Sequence, residues 1–253
     1  METMLLMRKV LLLFLVIFVS CANPLYTQDA QIYERIIEYK GLTIEDVITP
    51  KIDEYSYYII SDSSARSSAA FKKAILGRIK DYDFLIAEKK LIAVKIANII
   101  VSKDGQRIVS GLYASGTGIV YIRILSKEFD SDDPENDMEQ VFCHELGHSF
   151  YKLLTPDQIK EWYLLYQERL DEGGLEEALG WRYKQATREH REPFPSPYCL
   201  HSCSEYFAEC FMFYNTDAAR LNLSNFKEKQ LLRKHIEEVR KKYGETSSRK
   251  EYY

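Results

Sequence analysis

The sequence predicts an α+β chain, with a small sheet carrying an edge hairpin first and a mostly helical half after it. Three observations carry this reading. Short β-branched runs bounded by turn residues fall between Ile96 and Ile124. From Pro156 onward, apolar residues recur at helical spacing. Between the two lies a strongly amphipathic stretch, Asp133 to Leu154, with the capping signals of a helix.

In chain order, Ile32–Tyr39 is a helix candidate and Gly41–Lys51 reads as linker. Tyr57–Ile60 fits a strand or the end of that linker, and the Ser-rich stretch Ser61–Ser68 a loop. Ala69–Lys80 places Phe71, Ala74, Ile75 and Ile79 on one helical face. Ile96–Val101 reads as one buried strand, ended by Lys103-Asp104-Gly105. Arg107–Tyr113 and Ile119–Ile124 flank Ser115-Gly116-Thr117-Gly118, which makes them a hairpin. After an acidic loop, Asp133-Pro134-Glu135 starts a helix whose buried stripe is Met138, Val141, Phe142, Leu146 and Phe150. Thr155-Pro156-Asp157-Gln158 is a capping box that opens Pro156–Leu170. Gly173-Gly174 breaks it, Leu175–His190 is another helix candidate, and the Pro-rich Arg191–Ser202 is a loop. Ser202-Cys203-Ser204-Glu205 reads as a capping box for a helix burying Phe207, Cys210 and Phe211. The last helix, Ser224–Tyr243, buries Leu232, Ile236, Val239 and Tyr243 and ends at Gly244.

At 253 residues and 46% hydrophobic, the chain supports one sizeable core. A net charge of -4 supplies no basic footprint for nucleic acid. Arg8 and Lys9, the apolar run Val10–Val19 and Ser20-Cys21-Ala22 form the three regions of a signal peptide over residues 1–21. Phe18-Val19-Ser20-Cys21 also resembles a bacterial lipoprotein signal, in which Cys21 becomes the lipidated first residue. The expectation is therefore a secreted chain, with membrane anchoring through Cys21 as one form of it. Residues 22–64 have no assigned role, 65–245 hold the functional domain, and 246–253 are a tail. Export permits disulfides among Cys143, Cys199, Cys203 and Cys210, and free buried thiols fit equally well.

The chemistry is concentrated in His144-Glu145-Leu146-Gly147-His148. Two His four apart on a helix project about 40° from one another and can grip one Zn²⁺. Glu145 then stands close enough to take a proton from a water. A catalytic zinc ion needs a third protein ligand, and the positions at Tyr151 and Leu154 deny a third His on the same helix. The ligand must come from elsewhere, with an acid as first choice. Glu205 and Glu209 lie four apart on one face of an otherwise apolar helix. One could ligate while the other supports a ligating His. His201, in the preceding loop, is the rival ligand; His190 and His235 read as ordinary surface residues.

The pair His144-Glu145-Leu146-Gly147-His148 and Glu205-Tyr206-Phe207-Ala208-Glu209-Cys210-Phe211 resembles the catalytic domain of anthrax lethal factor and its relatives, the Pro-Pro endopeptidases among them. The resemblance implies a zincin-like metallopeptidase domain over roughly residues 65–245. It also implies Glu205 as third zinc ligand, Glu209 as support for a ligating His, and Tyr198, seven residues before Glu205, as a group facing the metal. The hairpin in Ser110–Ile124 would receive an extended peptide at its edge. The expected function is an exported zinc endopeptidase with Glu145 as general base, Tyr198 as oxyanion donor and a peptide or protein as partner. Two alternatives are an exported binding protein with a purely structural zinc site and a zinc amidase acting on cell-wall peptides.

Overall fold

In the computed structural model, the described residues are 36–47, 51–52, 57–60, 67–102, 108–125, 130, 132–173, 194–218, 221 and 226–250. The leader with Cys21 and the helix candidate Leu175–His190 lie outside them.

The main sheet is made of β1 (Ile36–Tyr39), β2 (Leu42–Asp46), β5 (Ala93–Ala97), β8 (Gly111–Ala114) and β9 (Ile119–Arg123), in the order β1-β2-β5-β9-β8. It is mixed: β2–β5 and β5–β9 are parallel, while β1–β2 and β9–β8 are antiparallel. The central strands are apolar on the face that meets the helices, while on the other face of β2 and β5 Lys95 pairs with Glu45 at 2.7 Å. Ile44, Val94, Ile96, Val120 and Ile122 turn to one face and join the helical core. Tyr121, out of phase with its neighbours, turns to the other and packs with Ile59, Ala97 and Ile100. That second face is covered by a four-stranded antiparallel sheet of β3 (Lys51–Ile52), β4 (Tyr57–Ile60), β6 (Ile99–Ser102) and β7 (Ile108–Val109), in the order β3-β4-β6-β7.

Five expectations change. Ile36–Tyr39 is a strand where a helix was expected, and Leu42–Asp46 is a strand where linker was expected. The cause is the turn between them: Lys40 at φ 50° and Gly41 at φ 79° fold the chain into a tight hairpin. Ile96–Val101 is not one strand, because the chain leaves the main sheet at Ala97 and enters the second at Ile99. There are accordingly two sheets rather than one. The final helix, α6 (Phe226–Lys250), runs through Gly244. A glycine inside a helix costs only about 1 kcal/mol, too little to end it unaided.

The helices α1 (Ala69–Asp81), α2 (Phe84–Ala87), α3 (Pro134–Tyr151), α4 (Pro156–Gly173) and α5 (Cys203–Thr216) cover the first face. Their starts are local chemistry. Ser68 Oγ accepts from Phe71 N–H in α1. Asp133 accepts from Asn136 N–H, with Pro134 in the first turn of α3. Thr155 and Gln158 cap each other reciprocally at 2.8 and 3.3 Å in α4. The core between α3, α4 and α5 is aromatic: Phe150, Trp162, Tyr206, Phe207 and Phe211 are fully buried and meet edge-on or tilted, with Phe150 stacked on Phe207.

Two buried polar links tie α4 to α6. Arg169 grips Glu228 with Nε and Nη2, at 2.6 and 3.0 Å, and Tyr206 on α5 donates its hydroxyl to the same carboxylate. His235 is the other link and corrects its surface reading, since it is 0% exposed. The Trp162 indole N–H donates to its Nδ1 at 3.0 Å, and its Nε2 lies 3.1 Å from Glu161 Oε2. A buried indole N–H needs an acceptor, which explains why an imidazole is drawn inside. Burial holds the His235 pKa below its ordinary value, which keeps Nδ1 free to accept. Among the described residues, no helix is long and apolar enough to cross a membrane.

Candidate metal and active site

The site forms where α3 crosses α5. A methyl group on Gly147 would lie 3.0 Å from Ala208 Cα and 3.1 Å from Phe211 Cβ. The helices therefore cross in close contact, and any side chain at 147 would have to push the α5 backbone back by a few tenths of an ångström. Gly147→Ala gains roughly 1 kcal/mol of helix propensity but overpacks the crossing, a cost of about 1–3 kcal/mol. The expected net result is lower stability in urea unfolding, with weaker metal binding because α5 is pushed from α3. A variant as stable and as metal-avid as the parent would refute this account of the crossing.

The close crossing brings three donor atoms together. His144 Nε2 and His148 Nε2 are 3.1 Å apart, and Glu205 Oε2 lies 3.0 and 3.2 Å from them. Adjacent ligands on a tetrahedral Zn²⁺ at ordinary bond lengths are roughly 3.3 Å apart. The trio therefore has the spacing of one face of a coordination tetrahedron, and it could hold a metal ion. Among the described residues it is the only group of three or more His, Cys, Asp or Glu side chains that could. His201 is not part of it; its ring packs on Tyr198 at 4.8 Å.

Glu209, one turn beyond Glu205 on α5, lies 2.7 Å from His144 Nδ1. That contact fixes the imidazole with Nδ1–H toward the carboxylate and leaves Nε2 for the ion. The capping box expected at Ser202 is only half formed. Ser202 Oγ accepts from Glu205 N–H at 3.2 Å, but the Glu205 carboxylate turns to the imidazoles instead of back to the cap.

Without an ion, the charges compensate one another. Burial pulls the His144 pKa down, but Glu205 and Glu209 outweigh it and raise it to about 10. Burial likewise opposes ionisation of Glu205, yet the two imidazoles hold its pKa well below the carboxylate range. Glu145 is buried beside them. Burial raises its pKa, against the opposing pull of His144 and His148. The Tyr113 backbone N–H donates to its carboxylate, which anchors it to the edge strand β8.

Gly111 explains how that strand comes so near, and sequence reasoning missed it. A methyl group there would lie 2.6 Å from Val141 Cγ1 and 2.7 Å from Glu145 Oε1. A glycine within a strand is itself the signal of such an approach. Tyr198 sits on the 3₁₀ turn Pro197–His201, capped by Ser196 Oγ at 3.2 Å from its N–H. It is 43% exposed, and its ring is 5.6 Å from that of His144. All these groups open on one cleft of about 1150 Å³ between α3, β8 and the Tyr198 turn. Cys143, Cys199, Cys203 and Cys210 are free thiols, and burial pushes the first, second and fourth well above the usual thiol pKa.

No protein-family model matches this chain, and no curated protein matches it.

Proposed function

We propose that the chain is an exported zinc-dependent endopeptidase with a zincin-like centre. One observation supports this above the others. His144, His148 and Glu205 bring three donors within 3.2 Å of each other, with a buried, unligated carboxylate, Glu145, next to them on the cleft side. Two imidazoles and one carboxylate are the N and O donors that zinc prefers in catalytic sites. A Zn²⁺ ion there would supply Lewis acidity toward a carbonyl oxygen and acidify a water molecule.

The chain's own residues do the rest. Glu145 accepts a proton from the attacking water and returns it to the leaving nitrogen. Burial beside the ligand set places its carboxylate where it can take up that proton and pass it on. The Tyr198 phenol donates to the oxygen on which negative charge develops. The outer edge of β8, where Glu145 already takes the Tyr113 N–H, offers its remaining outward main-chain groups to the peptide as an added strand. Glu209 keeps His144 in the ligating tautomer. A purely structural zinc site would need no base, so the buried Glu145 favours catalysis over an exported binding protein. The leader of residues 1–21 supports secretion, with Cys21 as an anchor point in its lipidated form.

The test is a mixture of unstructured peptides incubated with the zinc-loaded chain and read by mass spectrometry. Cleavage that stops with a chelator and returns with zinc supports the proposal. A chain that binds zinc but cleaves no peptide overturns it.

A further inference from the structure

Arg123 ends β9 and lines the cleft. Its backbone N–H donates to the Ser110 carbonyl at 2.8 Å, just before the edge strand β8. Asp137 and Gln140 on α3 line the cleft with it. These lie seven and four residues before His144, or about 10 and 6 Å along the helix. Arg123 thus lines the cleft that β8 borders, where a peptide paired with that strand would lie.

Its guanidinium is only half used. Nη2 donates to Asp130 Oδ1 at 2.8 Å, while Nε is buried and has no partner. Among the described residues, it is the only buried side-chain nitrogen or oxygen in that condition. Arg169 gives the contrast within the same molecule. There one carboxylate, Glu228, takes both Nε and Nη2. That two-bond fork is the strong form of an arginine–carboxylate pair. Asp130 makes half of it, with side chains 18% and 21% exposed for Arg123 and Asp130.

We propose that Arg123 is the specificity-determining residue of the cleft: its guanidinium turns outward to bind a carboxylate of the peptide by the Nε–Nη2 fork, and Asp130 holds it, with Nε shielded, until the peptide arrives. This rests on the peptidase reading above. Asp130 and Asp137 line the same cleft and repel a loosely held anion. Only a carboxylate that makes both bonds outcompetes the single one already present, so geometry as well as charge is selected. The carboxylate comes from an Asp or Glu side chain or from a free peptide C-terminus.

The experiment uses the zinc-loaded full chain and peptide pairs that differ by Glu or Gln at one position flanking the scissile bond. Each pair is made with free and with amidated C-termini, which separates the two sources. Cleavage is measured on the parent, and affinity on zinc-loaded Glu145→Gln. At one position, or at the free C-terminus, the carboxylate peptide is expected to be favoured roughly ten- to a hundredfold. Arg123→Gln brings that ratio to about one. Arg123→Lys, which keeps the charge but not the fork, leaves only a small part of it. Equal affinity for both members of every pair, or a preference that survives Arg123→Gln, overturns the proposal. Absent cleavage with a preserved carboxylate preference in binding would overturn the peptidase reading and leave Arg123 as the recognition residue.

Discussion

Glu145→Gln is expected to lower peptide cleavage by about 10²- to 10⁴-fold while metal binding stays as in the parent. Gln is isosteric with Glu, so it fits the narrow space that Gly111 and Val141 leave. Its amide oxygen still accepts the Tyr113 N–H. What it loses is the capacity to take and return a proton. The two readouts, peptide turnover and bound zinc per chain, separate a missing base from a collapsed site. Unchanged turnover in this variant would remove the general-base role and the hydrolase proposal with it.

Glu205→Ala is expected to reduce zinc affinity by more than the roughly 10- to 100-fold that loss of an outer-shell partner causes. It leaves two imidazoles 3.1 Å apart with no anionic donor between them. Glu209→Ala removes only the orienting contact to His144 Nδ1 and should fall inside that 10- to 100-fold range. Competition with a chromophoric chelator ranks the two variants. Equal losses, or a larger loss for Glu209→Ala, would mean that Glu205 is not the third ligand.

The pKa shifts add a pH dependence. In the ion-free chain His144 titrates at about 10, above the ordinary imidazole value. A group raised in this way stabilises the fold fully below pH ~6.5, and the contribution is lost as pH rises toward 10. Zinc must displace that proton, so the affinity falls as the solution becomes more acidic.

The parts of the fold legible in the sequence were those written locally. The start of α3 could be read because Asp133, Pro134 and the apolar stripe act within a few residues of each other. The helix of α5 was legible for the same reason, and Glu205 and Glu209 stood out as acids in an apolar run. Strands β1 and β2 were not, because each is at most five residues long and β2 finds its parallel partner, β5, some fifty residues away. His235 looked exposed because the reason for its burial, Trp162, is 73 residues distant. Gly111 was visible in a strand, but its role depends on α3 lying 2.6 Å from an absent methyl, which no spacing encodes. Arg123 gave no signal at all, since an unmet donor exists only once the chain has folded.

The three donors come from segments about sixty residues apart, and only the crossing at Gly147 and Ala208 brings them into register. An ion seated there acts as a rivet between α3 and α5. The denatured chain holds only the local His pair and grips the ion far less well. The folded population therefore rises with the free concentration of ion, through RT ln(1 + [L]/Kd). A chain of this design would be sturdiest where the ion is plentiful, and scarcity would soften the very crossing that builds the site.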